Sequence, residues 1–218
     1  PWLISTAAQL DYVRNYLGTT HSDKYFIQTE DIDLGVSPWN AGTGWVPIGS
    51  SSTSSFRGNY NGNGYSISGL TISRPTSDYQ GLFGYTFGAT IHELSIYNAN
   101  IHARSYTGSL IGYQDQGTIN NCFSSIIING SNYAGSLVGY LKSCIISNSY
   151  CMGSVIGISY VGGFAGYQEL GSIINCYSTV NLTGSSNSGG LLGFNSGTVT
   201  NSYWDINSSG QSTSAGGE

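Results

Sequence analysis

Three ionisable residues recur at equal steps along this chain and are candidates for chemistry. Asp115, Lys142 and Glu169 are 27 residues apart, and a pair of carboxyl groups is what glycoside hydrolysis uses. If 27 residues form one turn of a stacked structure, two steps of about 4.8 Å place the acids roughly 10 Å apart, near the upper limit for an inverting pair. Because a lysine stands between them, we expect a solvated salt ladder and no catalytic pair.

No other arrangement of reactive residues favours an enzyme. The sequence contains no HExxH, P-loop, CxxC or GxSxG motif, and its three histidines are scattered. In TEDIDLG, Glu30, Asp31 and Asp33 offer oxygen ligands for Ca²⁺. The same alternation equally suits a strand with Ile32 and Leu34 inward. We expect no cofactor, with calcium at these three acids as the open alternative.

The four cysteines invite a disulfide interpretation, but their spacing disfavours it. Cys122 and Cys176 fall two turns apart with Ser149 between them, which is about 10 Å and beyond the roughly 7 Å that a disulfide bridges. Cys151 is two residues off that column and is marginal for pairing. We expect free thiols that pack as small core residues.

One phrase dominates the sequence: an aromatic residue (asparagine in the last copy), a glycine, an apolar residue, a glycine and an aromatic residue occur in that order, with other residues between some of them. Its copies are YQGLFGY (79–85), YTGSLIGY (106–113), YAGSLVGY (133–140), YVGGFAGY (160–167) and NSGGLLGF (187–194). The last glycine of each copy recurs at steps of 28, 27, 27 and 27 residues, and two further apolar phrases keep this step. Three short apolar segments per step predict one turn of a solenoid, because stacked coils bury faces that a single coil cannot.

We therefore predict an all-β fold, a parallel β-helix (β-solenoid) of about 27 residues per coil, with a short N-terminal capping helix. Glycines at both ends of each phrase are expected to let the backbone bend. Three rows are predicted to face inward: Leu82, Leu110, Leu137, Phe164 and Leu191; Ile91, Ile119, Ile146, Ile173 and Val199; and Ile101, Ile128, Val155 and Leu182. Asn121, Asn148, Asn175 and Asn201 also align and predict an asparagine ladder at a bend.

The two ends depart from the repeat. Thr6 followed by Gln9 fits a capping box, and Leu10, Val13 and Leu17 share one helical face. The expected division is a capping segment with a short helix at 1–23, irregular first coils at 24–78, the repeat solenoid at 79–204, and a C-terminal tail or linker at 205–218.

Aromatic residues form three columns at the same step. They are Tyr79, Tyr106, Tyr133 and Tyr160; Tyr85, Tyr113, Tyr140, Tyr167 and Phe194; and Phe123, Tyr150, Tyr177 and Tyr203. Rings at one coil spacing can stack and stabilise the array, whereas an exposed column would suit an extended glycan. Our ligand-binding candidates are Tyr85, Tyr113, Tyr140 and Tyr167, with stacking as the alternative.

The composition disfavours two classes of partner, nucleic acid and the membrane interior. Charged residues make up 8% of the chain, the net charge is −5, and there is no basic patch, so nucleic acid is not an expected partner. No apolar run approaches the roughly 18 residues that span a bilayer, so membrane insertion is not expected either. The chain runs from Pro1, without a signal peptide, to AGGE, as expected for a piece of a larger multidomain chain.

The phrases GSLVGY and GSIINCYS at a 27-residue step resemble the GLUG-motif repeats of bacterial and archaeal surface proteins. TEDIDLG, WVPIGSSSTSSFRGNYNGNGYSISGLTI and the ending SYWDINSSGQSTSAGG fit the same pattern, so the resemblance runs from about residue 24 to 217. Ser143 and Cys144 depart from it at a turn where the pattern prefers Gly. The resemblance implies secretion, display at the cell surface and often adhesion, and it also occurs as a non-catalytic part of large peptidases.

We therefore expect a non-catalytic, extracellular module of a larger cell-surface protein. It is expected to serve adhesion by binding a glycan or the surface of a host or neighbouring cell. A structural spacer is the first alternative, and a polysaccharide-degrading β-helix enzyme is the second.

Overall fold

A computed structural model describes residues 1–217 as an all-β, parallel β-solenoid of about 8 turns with ~27 residues per turn. The predicted fold class is confirmed. Two short α-helices flank the strands, α1 at Ala7–Tyr12 and α2 at Ile206–Ser209. The strands, numbered in chain order, are β1 Trp2–Ile4, β2 Tyr25–Gln28, β3 Ile32–Asp33, β4 Asn59–Asn61, β5 Ser66–Ser68, β6 Thr71–Arg74, β7 Phe83–Phe87, β8 Thr90–His92, β9 Ser95–Ala103, β10 Ser105–Thr107, β11 Ile111–Asp115, β12 Thr118–Asn120, β13 Phe123–Asn129, β14 Asn132–Gly135, β15 Val138–Ser147, β16 Tyr150–Ile156, β17 Ser159–Gly162, β18 Ala165–Ile174, β19 Tyr177–Thr183, β20 Ser186–Gly189, β21 Leu192–Asn195, β22 Thr198–Thr200 and β23 Tyr203–Trp204.

The strands form three sheets that run along the solenoid. Sheet 1 contains β1, β2, β4, β7, β8, β11, β12, β15, β18, β21 and β22; sheet 2 contains β3, β5, β6, β9, β13, β16, β19 and β23; and sheet 3 contains β10, β14, β17 and β20. The repeat step sets the register, so that Ile119 pairs with Ile146 and Ile146 with Ile173. Identical residue types therefore stack from coil to coil.

All three predicted inward rows lie in the core. The row from Leu82 to Leu191 is at most 1% exposed. The row from Ile91 to Ile173 is fully buried, and Val199, at its C-terminal end, is partly buried against the core. Burial of a Leu or Ile side chain contributes about 1.5–3 kcal/mol, so these rows supply much of the stability.

The last glycine of each phrase has a different role from the one we expected. A Cβ on Gly139 would lie 2.4 Å from the amide nitrogen of Thr107 and 2.6 Å from the carbonyl carbon of Tyr106. Gly139 is not among the glycines with positive φ in the described chain. This glycine is therefore required because another coil's backbone passes against it, and not because the chain bends there.

The N-terminal end is covered by a strand and a helix. Trp2–Ile4 pairs in parallel with Phe26–Gln28, which the sequence did not indicate. The Thr6 side chain accepts a hydrogen bond from the Gln9 amide at 3.2 Å, whereas the Gln9 side chain accepts one from the Ser5 amide at 2.8 Å. The α-helix is short and continues as a 3-10 turn.

At the other end, the chain folds back over the last coil. In the coils before it, the backbone amide of Leu137 donates to the carbonyl oxygen of Phe164, and the amide of Phe164 donates to the carbonyl oxygen of Leu191. For Leu191 the acceptor is the Ser214 hydroxyl, at 3.2 Å, so Ser214 takes the place of a further coil. The division of the chain at residue 205 stays a prediction.

Candidate binding surfaces

The two tyrosine columns around the glycine phrase form a single interlocked layer. Tyr79, Tyr106, Tyr133 and Tyr160 all have φ between 55° and 59°, a left-handed conformation that is uncommon for such a large residue. The other column lies on sheet 1, where Tyr113 pairs in register with Tyr85 and Tyr140. Each coil therefore places two rings side by side at one corner.

Ring contacts run both along and across these columns, and we call the arrangement the tyrosine zipper. Tyr113 stacks on Tyr85 at 4.7 Å and on Tyr140 at 4.8 Å, nearly parallel. Tyr106 meets Tyr113 edge to face at 5.7 Å, and Tyr133 meets Tyr140 in the same way at 5.5 Å. Stacked and edge-to-face geometries are both favourable for aromatic pairs, so the zipper stabilises the solenoid.

The structure brings our four ligand candidates together as one half of this zipper. Tyr85 is buried, and Tyr113, Tyr140 and Tyr167 are half-buried. Burial raises the pKa of Tyr113; the pKa of Tyr140 is raised by burial and by its hydrogen bond to Glu169. Because Tyr113 and Tyr140 have neighbours stacked on both sides, they offer ring edges and hydroxyl groups rather than ring faces. Their role in binding stays a prediction.

The acid–lysine–acid column is only partly a salt ladder. Asp115, Lys142 and Glu169 stand in register as expected. Lys142 Nζ lies 3.6 Å from Asp115 Oδ2, while Glu169 Oε2 accepts a hydrogen bond from the Tyr140 hydroxyl at 2.7 Å. Of the three residues in this column, only Asp115 and Lys142 form an ion pair in the described structure.

The acidic N-terminal segment uses its carboxylates locally. Asp31 Oδ1 accepts hydrogen bonds from the Ser66 amide and hydroxyl at 2.7 and 2.9 Å, and these bonds lower the pKa of Asp31. Asp33 Oδ1 accepts from the Gly35 amide at 2.7 Å, and Glu30 is exposed. No cluster of three or more His, Cys, Asp or Glu suited to a metal occurs in the part of the chain described. Calcium at Glu30, Asp31 and Asp33 stays a prediction.

All four cysteines are free and buried, which confirms the prediction. Burial raises the pKa of Cys122, Cys144 and Cys151 to about 12 and that of Cys176 to about 11. A thiol must ionise to act as a nucleophile, so these residues serve packing.

The third aromatic column is the exposed one, and the sequence did not lead us to select it. Tyr150, Tyr177 and Tyr203 are 40%, 40% and 42% exposed on the outer side of sheet 2. The alternation of inward and outward residues along a strand did indicate that this column faces outward. Phe123 is five residues before Ile128, an odd separation, so an inward Ile128 requires an outward Phe123.

Comparison with known proteins identifies the repeat. Residues 157–183 match the family described as the GLUG motif. The chain carries a GLUG repeat. This confirms the resemblance for these residues, which include the phrase YVGGFAGY and the strand β19.

Two curated proteins share sequence with this chain. A protein from Evansella cellulosilytica, named as a Gly-rich membrane protein, is 49% identical over 84 residues, which are 38% of this chain and 9% of that protein. The halomucin of Haloquadratum walsbyi is 35% identical over 136 residues, 60% of this chain and 1% of that protein. The chain thus spans a small fraction of each relative. Neither helix in residues 1–217 is long and apolar enough to cross a membrane.

A solved structure shares the fold of this solenoid. It is a Bacteroides ovatus protein named as an immunoglobulin A1 protease, with a TM-score of 0.63 over 94% of this chain and 75% of that one. The sequence identity is 21%, so the likeness concerns the fold alone.

Proposed function

We propose that this GLUG solenoid is a non-catalytic, extracellular module of a larger cell-surface protein and that it serves adhesion by binding a glycan. Its relatives are named as a membrane protein and a halomucin, and the chain matches only 9% and 1% of their lengths. Both facts support a module within a long surface protein.

The observation that carries the adhesive role is the constant register of the coils. Tyr140 pairs with Tyr113 on one side and with Tyr167 on the other, so the same side chain returns at each step of about 4.8 Å. A polymer of repeating sugars meets such a surface with the same contacts many times over. Ser, Asn and Tyr side chains can supply hydrogen bonds to its hydroxyl groups.

The enzyme alternative has little support. Asp115 is engaged with Lys142 and Glu169 with Tyr140, so neither carboxylate is poised for acid–base chemistry. The spacer alternative is favoured by one observation, the tyrosine zipper, because ring faces that are covered by other rings stabilise an array without binding anything.

A glycan array tests the proposal. The purified chain should bind at least one class of glycan in a saturable manner, and a folded chain that binds none would favour the spacer. A triple variant, Tyr113→Phe, Tyr140→Phe and Tyr167→Phe, keeps the stacked rings and removes three hydroxyl groups. Loss of binding in this variant would assign the site to the predicted tyrosine column.

A further inference from the structure

The outer side of sheet 2 presents a row of accessible aromatic rings. We call it the outer aromatic face and define it as the exposed side of β9, β13, β16, β19 and β23. Its rings come one from each coil: Tyr97, Phe123, Tyr150, Tyr177 and Tyr203. Tyr97 is 43% exposed and contacts Phe123 at 5.0 Å, and Phe123 contacts Tyr150 at 4.7 Å. Unlike the zipper rings, the four tyrosines keep about two fifths of their surface open.

This face carries no formal charge. The five strands contain no Asp, Glu, Lys or Arg. Beyond the rings, its outward positions hold amides, hydroxyls and aliphatic groups, such as Asn181, Thr179 and Ile127. A shallow depression of about 330 Å³ lies on it, lined by Asn98, Asn100, Ser125 and Ile127 among others. A second, of about 370 Å³, lies at its edge with β6 and is lined by Ser73, His102 and Asn129 among others. Such a mixture favours an uncharged ligand with both apolar and hydroxyl-bearing sides.

The size of the face argues against a protein as its occupant. The five strands hold 9, 7, 7, 7 and 2 residues; at roughly 3.3 Å per residue and about 4.8 Å between strands, they cover an area of roughly 500 Å². A stable protein–protein interface buries about 800 Å² on each partner. A polymer chain lying along the ring row needs far less width than a folded partner.

We propose that the outer aromatic face binds an uncharged polysaccharide. Sugar rings would lie against Tyr150, Tyr177 and Tyr203, and sugar hydroxyls would meet the neighbouring Asn, Ser and Thr side chains. This inference rests on the proposed adhesive function and moves its site from the tyrosine zipper to sheet 2. Because the face has no charge, binding should not depend on salt.

The test is co-sedimentation of the chain with three insoluble neutral polysaccharides, cellulose, chitin and curdlan, with heparin and alginate beads as anionic comparators. The test variant is Tyr150→Ala with Tyr177→Ala. The matched control is Tyr12→Ala, since Tyr12 is 57% exposed on α1, outside the outer aromatic face. Circular dichroism and thermal unfolding establish that each variant is folded. We expect one neutral polymer to retain the native chain and the control alike, up to about 1 M NaCl, and the double variant to bind at least tenfold more weakly.

Other outcomes separate the inference from the proposed function. Retention that survives in the double variant but is lost in the Tyr113→Phe, Tyr140→Phe, Tyr167→Phe variant would overturn the inference and leave the adhesive function standing. Retention on the anionic beads alone, or retention abolished by salt, would overturn the proposal that the ligand is uncharged. Self-association that the double variant abolishes would assign the face to a second copy of the chain. No retention on any polymer by the folded chain would overturn the inference, and the adhesive function would fall with it only if the glycan array also showed no binding.

Discussion

Gly190 shows how a single position is fixed by a neighbouring side chain, the indole of Trp204. Gly190 is the last member of a column that also contains Ser109, Ser136 and Gly163. Its last two glycines face Ser178 and Trp204, which pair with each other in sheet 2. A Cβ on Gly190 would lie 1.9 Å from Trp204 Cδ1. We expect Gly190→Ala to lower the free energy of unfolding by about 1–3 kcal/mol, the usual cost of overpacking, in urea denaturation.

A double-mutant cycle provides the control for this prediction. In a Trp204→Ala background the indole ring is absent, so the same Gly190→Ala change should cost under about 0.5 kcal/mol. Equal costs in the two backgrounds would show that backbone conformation, and not the indole, excludes a side chain at residue 190.

Asn175 combines two constraints at a coil corner. It has a φ of 54°, its Nδ2 donates to Asn148 Oδ1 at 3.1 Å, and its Oδ1 accepts from Asn201 Nδ2 at 3.4 Å. These bonds confirm the predicted ladder over three coils. We expect Asn175→Ala to cost about 1–2 kcal/mol, since alanine is strained at positive φ, and Asn175→Gly to cost less. A larger loss for Gly than for Ala in urea denaturation would mean that the amide bonds outweigh the backbone strain.

At the scale of elements, the tyrosine zipper should contribute strongly to stability. Tyr140 stacks on Tyr113 and Tyr167 at 4.8 and 4.7 Å and meets Tyr106 and Tyr133 edge to face. Each aromatic pair contributes about 0.5–1.5 kcal/mol beyond area burial. Tyr140→Ala should therefore lower the free energy of unfolding by about 2–4 kcal/mol, measured by urea denaturation.

The matched variant is Tyr140→Phe, which keeps the ring and removes the hydrogen bond to Glu169. It should cost about 1 kcal/mol or less, because the bond is only partly buried. If the Phe and Ala variants were equally destabilised, the contribution would come from the Glu169 bond and not from the stacked rings.

The strands also show how much of the fold could be predicted from the sequence. A fixed repeat aligns Leu137 with Leu110 and Ile146 with Ile119, so the solenoid and its inward rows follow from spacing alone. The strand at Trp2–Ile4 lies outside the repeat, and nothing in its three residues indicates that it joins sheet 1. Alternation along the strands turns both Tyr113 and Tyr150 outward. The column of Tyr113 is covered because the backbone at Tyr106 is left-handed and brings that ring against Tyr113, whereas the column of Tyr150 stays open. Residue spacing does not reveal this left-handed conformation.

At the scale of the whole molecule, the buried thiols and phenols lead us to expect that alkaline pH destabilises the folded protein. Burial raises the pKa of Cys122, Cys144 and Cys151 from 9.0 to about 12 and that of Cys176 to about 11. Burial also raises the pKa of Tyr113 and Tyr140 above 10.0. A raised pKa in the folded state stabilises it fully below the unfolded pKa, and this stability is lost as pH rises.

We therefore expect the free energy of unfolding to fall above about pH 9, by at most about 1.4 kcal/mol per pH unit for each buried thiol, and more steeply above about pH 10 as tyrosines ionise in the unfolded chain. Urea denaturation at intervals of half a pH unit measures the slope. The control replaces all four cysteines with alanine. Its stability at neutral pH should be lower because of the cavities, but its slope between about pH 9 and pH 10 should be shallower, since the thiols no longer contribute and only the tyrosines remain to ionise in the unfolded chain. The same slope in both proteins would locate the alkaline transition in the tyrosine zipper instead of the thiols.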